Sequence, residues 1–165
     1  MRLSALARYL PSRKRLPEDL PPPAESGDCL DRDRPRSRGS LQLRHVDAGS
    51  CNGCEIEIAS IFSPVYDAER LGFRLEASPR HCDGLMVTGP VTRNMAGPLA
   101  KTYHAVPEPR MVVTVGDCAR DCGVFRNAYG IEGPVDSVVP VDLHIPGCPP
   151  EPTVIIASLR SVTGR

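Results

Sequence analysis

The sequence predicts an α/β fold in which helices cover both faces of an open, parallel β-sheet. Short runs rich in Val, Leu or Ile recur between residues 41 and 145, and segments with helical spacing or composition lie between them. Strands that alternate with helices in this way are typical of a parallel sheet. The length of 165 residues suits one domain with a core of ordinary size.

The strands are predicted from their apolar content and from the turn residues that bound them. In chain order, the predicted strands are LQLRHVD (41–47), GFRLEAS (72–78), GLMVTGPV (84–91), RMVVTVGD (110–117) and SVVPVDLHI (137–145). Helices are predicted in the connections, and a closing helix has proline in its first turn. The predicted helices are Glu55–Leu71, Met95–Val106, Asp121–Tyr129 and Pro150–Val162.

Residues 1–40 have a different composition. They hold six prolines and the charged stretch DRDRPRSRGS, and such a segment buries too little apolar surface to offset the entropy of ordering. We therefore expect a flexible, Pro/Arg-rich extension at 1–40 and one α/β domain at 41–165. The first stretch, MRLSALARYLPSRKRL, is basic and weakly amphipathic, which fits an anionic membrane surface, a partner protein or a solvated tail.

Charge and cysteine content narrow the class of function. The 20 basic and 20 acidic residues balance, so nothing in the net charge predicts nucleic-acid binding. We expect an intracellular chain that does not span a membrane on its own, because no apolar run reaches 18 residues and no secretory signal is evident. In such a chain the seven cysteines indicate metal or redox chemistry more than disulfides.

Four cysteines follow predicted strands directly. Cys51 and Cys54 come after the first strand, Cys118 after the fourth and Cys148 after the fifth. Right-handed crossovers bring the carboxyl ends of parallel strands to one edge of the sheet, so these four should converge there. Cys82 precedes the third strand and should lie at the opposite edge.

Four convergent thiolates predict a metal centre. A structural zinc site usually takes its ligands as two close pairs, whereas here one pair joins two isolated cysteines. An iron–sulfur cluster also takes four cysteines, and the small and kinked surroundings in SCNGCE and IPGCPP leave room for its bulk. The spacing favours iron–sulfur over zinc and leaves both open, and a redox pair at Cys51 and Cys54 is a weaker alternative.

Four linked motifs, HVDAGSCNGCEIEI, SPRHCDGLMVTGPVTRNM, VGDCARDCGVF and IPGCPP, resemble one family. It is a subunit family of NADH:quinone oxidoreductase (complex I), together with the related small subunits of membrane-bound, energy-converting [NiFe] hydrogenases and formate hydrogenlyase. The resemblance covers about residues 41–165. The two residues between Cys51 and Cys54 resemble the hydrogenase branch, because the complex I proteins have adjacent cysteines there.

This resemblance implies a flavodoxin-like fold with a proximal [4Fe–4S] cluster at the carboxyl edge of the sheet. Cys51, Cys54, Cys118 and Cys148 match the four ligand positions of the family. The implied partners are a large subunit with a Ni–Fe site, a ferredoxin-like subunit and membrane subunits, in a complex peripheral to the cytoplasmic side of the membrane. The chain would then be an oxidoreductase subunit that is not catalytic alone. The alternative is a complex I-like subunit that reduces quinone, and a zinc-stabilised scaffold is the third possibility.

Other residues carry weaker expectations. Glu57, and after it Glu55, are candidates for proton transfer by resemblance, although an acid in a first helical turn also complements the helix dipole. Cys122 stands where the family usually has glycine, and on a helix it would share a face with Cys118. Asp47, Asp117 and Asp142 are expected to be caps or turn formers. A hydrogen bond from His45 toward the cluster is a further, weaker hypothesis.

Overall fold

The computed structural model describes residues 39–163, so the predicted extension lies outside the described residues except for Gly39 and Ser40. In chain order the elements are β1 (Leu41–Asp47), α1 (Gly53–Ile61), β2 (Phe73–Leu75), β3 (Gly84–Thr88), β4 (Val91–Thr92), α2 (Arg93–Ala105), β5 (Met111–Val115), α3 (Asp117–Asp121), β6 (Ile131–Gly133), β7 (Leu143–Ile145) and α4 (Pro152–Thr163).

Five strands form one parallel sheet in the order β2-β1-β3-β5-β7. This is the strand order of the flavodoxin-like folds, in which the chain reverses its direction across the sheet between β1 and β3. The predicted α/β fold is confirmed. The central strands are the longest, and the edge strands β2 and β7 have three residues each.

Four strands end in register. Asp47 pairs with Thr88, Thr88 with Val115, and Val115 with Ile145. The carboxyl ends of β1, β3, β5 and β7 therefore lie in one row along the edge of the sheet. The loops that leave these ends begin side by side, although they are far apart in the sequence.

Each face of the sheet has its own core, because alternate residues of a strand point to opposite faces. On one face α1 and α4 pack through residues such as Ile58, Ile61 and Leu159. On the other face Leu85 and Val87 pack with residues of α2, α3 and the segment before β7. Helices thus cover both faces, as predicted.

Two helix predictions are corrected by the structure. The helix predicted at Glu55–Leu71 ends at Ile61, and Ala68–Leu71 forms a separate 3-10 turn. Pro64 explains the break, since it lacks an N–H and disfavours helical backbone in the residue before it. The helix predicted at Asp121–Tyr129 is wrong, because α3 already ends at Asp121.

The end of α3 has a backbone cause. Cys122 adopts the left-handed conformation with φ of 66°, and Gly123 has φ of 44°. Left-handed residues close helices and do not continue them.

The strand predicted at 137–145 was too long, since only Leu143–Ile145 pairs in the sheet and Val135–Ser137 is a 3-10 turn. The antiparallel pair of β4 and β6 was not predicted from the sequence. Within residues 39–163, none of the helices combines the length and the apolar character needed to cross a lipid bilayer.

Leu99 gives a test of how α2 is held, because it is the fully buried residue of that helix. We expect Leu99→Ala to lower the free energy of unfolding by about 3 kcal/mol, through lost burial and the cavity left behind. Leu75→Ala is the matched control, since Leu75 is 38% exposed, and should cost less than about 1 kcal/mol. Urea titration of both variants measures the difference, and equal losses would contradict the packing described.

Candidate metal centre

The loop after β1 is shaped by Asp47. Its Oδ1 accepts hydrogen bonds from the backbone N–H groups of Gly49 and Ser50, both at 2.8 Å. Asn52 then takes a left-handed conformation, and α1 begins at Gly53. Asp47 is therefore a turn former, as expected. The turn places Cys51 in the loop and Cys54 in the first turn of α1.

The loop at Thr88–Thr92, TGPVT, supports this first cysteine loop. Ala48 donates its N–H to Thr88 O at 3.0 Å, and Thr92 donates its N–H to Ala48 O at 2.9 Å. Gly89 has φ of 72°, and a Cβ at this position would overlap the backbone of Ser50. The close approach of the two loops thus requires glycine at position 89.

The Cys118 and Cys148 segments lie side by side. Gly116 donates its N–H to Ile145 O and Asp117 donates its N–H to Gly147 O, both at 2.9 Å. These bonds extend the pairing of β5 and β7 beyond the strands as far as the two cysteines.

The thiols of Cys51, Cys54, Cys118 and Cys148 are electrostatic neighbours. The pKa of Cys54 is raised to about 12, first by burial, then by Glu55 and by the other three cysteines. The pKa of Cys118 is also raised, by burial and then by Cys148. The structure thus brings together the four predicted cysteines at one edge of the sheet.

The four thiols differ in exposure. Cys54 and Cys118 are buried, whereas Cys51 and Cys148 are exposed. One side of the group faces the core of the protein and the other side faces outward.

Glycines leave room around the sulfur atoms. A Cβ at Gly116, where φ is 90°, would lie 2.6 Å from Cys54 Sγ, and a Cβ at Gly123 would lie 2.8 Å from Cys118 Sγ. The donor set consists of thiols, the ligand that iron–sulfur clusters take. Within residues 39–163, no three His, Cys, Asp or Glu side chains form a group placed to hold a metal ion. The thiol set and the glycine surroundings fit a bulky, thiolate-bound cluster.

Cys122 and Cys82 have other surroundings. The pKa of Cys122 is raised by burial, while nearby Arg126 acts in the opposite direction and Asp121 and Asp136 add to the rise. None of the other cysteines in the described part of the chain contributes to this shift, in contrast to Cys118. Cys82 is buried beside the amino end of β3, where its thiol donates to Ser78 O at 3.3 Å. This is the opposite edge of the sheet, as predicted.

A polar network lies beneath the first cysteine loop. The Thr88 hydroxyl donates to Glu55 Oε1, and His45 Nε2 lies 3.0 Å from the same hydroxyl oxygen. Since Thr88 has one hydroxyl hydrogen, its bond to Glu55 leaves His45 as the donor to Thr88. Glu55 Oε2 is buried and has no hydrogen-bond partner among the described residues. Glu57 is half-buried, two residues further along α1.

The sequence did not predict the side-chain contacts of two threonines at this edge. Thr88 and Thr114 are both buried, on β3 and β5, and each contacts a histidine side chain. The available signal was a hydroxyl residue inside an otherwise apolar strand, since buried hydroxyls need partners. His45 was a weaker candidate for a hydrogen bond toward the cluster, and in the structure its hydrogen bond goes to Thr88.

Comparison with known proteins identifies a family. Residues 51–162 match the sequence profile of the family described as "NADH ubiquinone oxidoreductase, 20 Kd subunit". This match includes all four cysteines of the candidate site.

Two relatives are similar over most of the chain. Formate hydrogenlyase subunit 7 of Escherichia coli is 42% identical over 125 residues, which is 76% of this chain and 49% of that protein. The probable membrane-bound hydrogenase subunit mbhJ of Pyrococcus furiosus is 46% identical over 112 residues, 68% of this chain and 67% of that protein. The match thus spans about half the length of the first relative.

One solved structure has a similar fold and sequence. It belongs to the membrane-bound sulfane sulfur reductase, an archaeal respiratory membrane complex, and superimposes with a TM-score of 0.67 at 30% identity. The superposition covers 77% of this chain and 70% of the other.

The network at His45 predicts a pH effect on stability. Burial lowers the pKa of His45 from its ordinary value of 6.5, although Glu55 and Asp47 oppose the shift. As the pH falls below about 6.5, the unfolded chain therefore gains a proton at this position before the folded chain does, and stability is lost.

We expect His45→Gln to reduce the loss of unfolding free energy between about pH 7.5 and pH 5.5, because glutamine does not titrate. The wild-type chain, titrated in parallel, is the reference for this difference. Urea titrations at the two pH values measure the effect, and an unchanged slope in His45→Gln would refute the assignment.

Proposed function

The chain belongs to the NADH ubiquinone oxidoreductase, 20 Kd subunit family, and we propose that it is the electron-transfer small subunit of a membrane-associated, hydrogenase-type complex. The observation that carries the proposal is the group of four cysteine thiols at the carboxyl edge of one parallel sheet. The relatives named as hydrogenase and formate hydrogenlyase subunits support the type of complex. The spacing of Cys51 and Cys54 supports it independently.

The proposed cofactor is a [4Fe–4S] cluster held by Cys51, Cys54, Cys118 and Cys148. Such a cluster supplies one-electron transfer at a potential that its surroundings tune. In this chain, burial beside Cys54 and Cys118 excludes water from the inner side. The backbone N–H of Val124 acts to lower the pKa of the Cys118 thiol, against the larger effect of burial, and a donor beside a ligand sulfur withdraws negative charge from it.

The exposed cysteines support the proposed partners. Cys51 and Cys148 face outward, so this chain covers only one side of the site. We propose that the large subunit, with its Ni–Fe centre, covers the other side. Electrons would pass between that subunit and a ferredoxin-like subunit, in an assembly peripheral to the cytoplasmic side of the membrane and bound to membrane subunits.

A second candidate is a complex I-like subunit, through whose cluster quinone is reduced. The family description, which names a ubiquinone oxidoreductase, favours it. The similar archaeal structure belongs to a sulfane sulfur reductase, so relatives of this subunit serve complexes with different substrates. Nickel in the purified complex would support the hydrogenase-type proposal, and its absence together with bound quinone would support the alternative.

Glu57 and Glu55 are proposed as proton-transfer residues between the large subunit and solvent. Glu57 lies half-buried on α1, and Glu55 is held by Thr88 with one carboxylate oxygen buried. Substitution of each by glutamine would distinguish them, because the residue that carries protons should slow turnover and leave iron content unchanged.

One prediction concerns the metal itself. The purified complex, or the chain reconstituted with iron and sulfide, should contain about four irons per chain and give a paramagnetic signal on reduction. Iron and sulfide analysis with electron paramagnetic resonance measures both. Stoichiometric zinc without iron would instead support a zinc-stabilised scaffold.

A truncated chain is the control for domain organisation. We propose that residues 1–40 form an extension outside the cluster domain, since the sheet begins at Leu41. Deletion of residues 1–38 should leave the iron content unchanged. Loss of iron in this variant would place the domain boundary earlier.

Another prediction separates Cys118 from Cys122. Cys118 neighbours the other three thiols, whereas the shift at Cys122 involves none of them. We expect Cys118→Ser to lose most of its iron. Cys122→Gly should keep its iron, because glycine adopts the φ of 66° without strain, and this relief offsets part of the burial lost with the Cys122 side chain. Iron retained in Cys118→Ser and lost in Cys122→Gly would reverse the assignment.

A further inference from the structure

The Cys118 and Cys148 segments are joined by a side chain as well as by backbone pairing. Asp117 Oδ1 accepts a hydrogen bond from the N–H of Gly147 at 2.9 Å, while the N–H of Asp117 donates to Gly147 O at the same distance. One residue thus makes two bonds across the gap. Asp117 immediately precedes Cys118, and Gly147 immediately precedes Cys148.

His144 lies behind this contact. Its Nδ1 is 3.0 Å from the hydroxyl of Thr114, and its Nε2 is 4.0 Å from Asp117 Oδ1, the oxygen that binds Gly147. Nε2 is buried and has no hydrogen-bond partner among residues 39–163. A buried nitrogen without a partner is costly, so its place beside a carboxylate needs a reason.

The tautomer of His144 explains why its Nε2 lies beside the Asp117 carboxylate. Thr114 Oγ1 lies nearer to His144 Nδ1 than to Leu143 O, which is 3.4 Å away. If the hydroxyl donates to Nδ1, the ring hydrogen stands on Nε2, the nitrogen that is near Asp117. A movement of about 1 Å would bring that pair to hydrogen-bonding distance.

Burial is the main cause that lowers the pKa of His144, followed by Arg120, whereas Asp117 and Asp121 act in the opposite direction. A lowered pKa favours the neutral ring. A neutral ring offers Asp117 an N–H without bringing the positive charge of a protonated histidine.

We propose that Asp117 is a positioning residue that fixes the Cys118 and Cys148 segments to each other through Gly147, and that His144, whose Nε2 stands 4.0 Å from that carboxylate without bonding to it, acts through Asp117 by turning a ring N–H toward it. The consequence for the cofactor rests on the proposed function, since the spacing of two ligands would determine how firmly the cluster is kept. The bond from Asp117 to Gly147 does not depend on the cofactor.

The test uses the full chain, as isolated and after reconstitution with iron and sulfide. Asp117→Ala should release iron to a chelator about tenfold faster than the wild type, the usual cost of losing a residue that orients a metal ligand. Asp117→Asn keeps an oxygen acceptor for Gly147 and should restore most of the wild-type rate. Hydrogen exchange at the Gly147 amide should be several-fold faster in Asp117→Ala and near normal in Asp117→Asn.

Asp142→Ala is the matched control. Asp142 Oδ2 also accepts a backbone N–H, that of Val112 at 2.8 Å, but it does so at the other end of β5. Its loss should change neither iron release nor exchange at Gly147. If Asp142→Ala accelerates both as much as Asp117→Ala, the effect is general destabilisation and the proposal fails.

A double substitution tests the role of His144. His144→Phe should accelerate iron release less than Asp117→Ala, and adding it to Asp117→Ala should have little further effect, because both act through one contact. Full additivity would show that His144 does not act through Asp117.

Unchanged exchange of Gly147 in Asp117→Ala would overturn the positioning role itself. A wild-type chain without iron would refute the proposed function, while the exchange result would still decide the role of Asp117.

Discussion

In-register pairing at the ends of four parallel strands determines where every candidate ligand lies. Asp47, Thr88, Val115 and Ile145 end β1, β3, β5 and β7 in one row. The four cysteines then need only short loops to meet. The sheet supplies the precision, because backbone hydrogen bonds fix the strand ends more tightly than long loops fix side chains. A shift in the pairing of β5 with β7 would move Cys118 relative to Cys148 without any change in either loop.

Glycine residues leave open space beside this row of strand ends. Gly116 and Gly123 hold left-handed or extended positive-φ backbone where a Cβ would press on the sulfurs of Cys54 and Cys118. Gly89 likewise makes room for the loop that carries Cys51. The candidate site therefore depends on glycine positions, which have no side chain, as much as on the cysteines themselves. This explains why its motifs are rich in small residues around each cysteine.

The sequence was sufficient to predict those parts of the fold that depend on residue composition and on the order of strands and helices. Alternation of apolar strands with helical segments was enough to predict the parallel sheet, and the sheet in turn predicted that Cys51, Cys54, Cys118 and Cys148 lie at one edge and Cys82 at the other.

The short α3 was missed because its end depends on the backbone angle of Cys122, a residue with no preference for φ above zero. The pair of β4 and β6 was missed because both strands are too short to show periodicity. The contacts of Asp117 and His144 join positions about 30 residues apart, and only tertiary structure could bring them together.

The short edge strands have a consequence for how copies of this chain meet one another. Phe73–Leu75 and Leu143–Ile145 close the two sides of the sheet with three residues each, whereas β1 in the interior has seven. An edge of this length exposes few unpaired backbone groups to a neighbouring molecule. Newly made copies would therefore have little opportunity to stack strand against strand, even at high concentration.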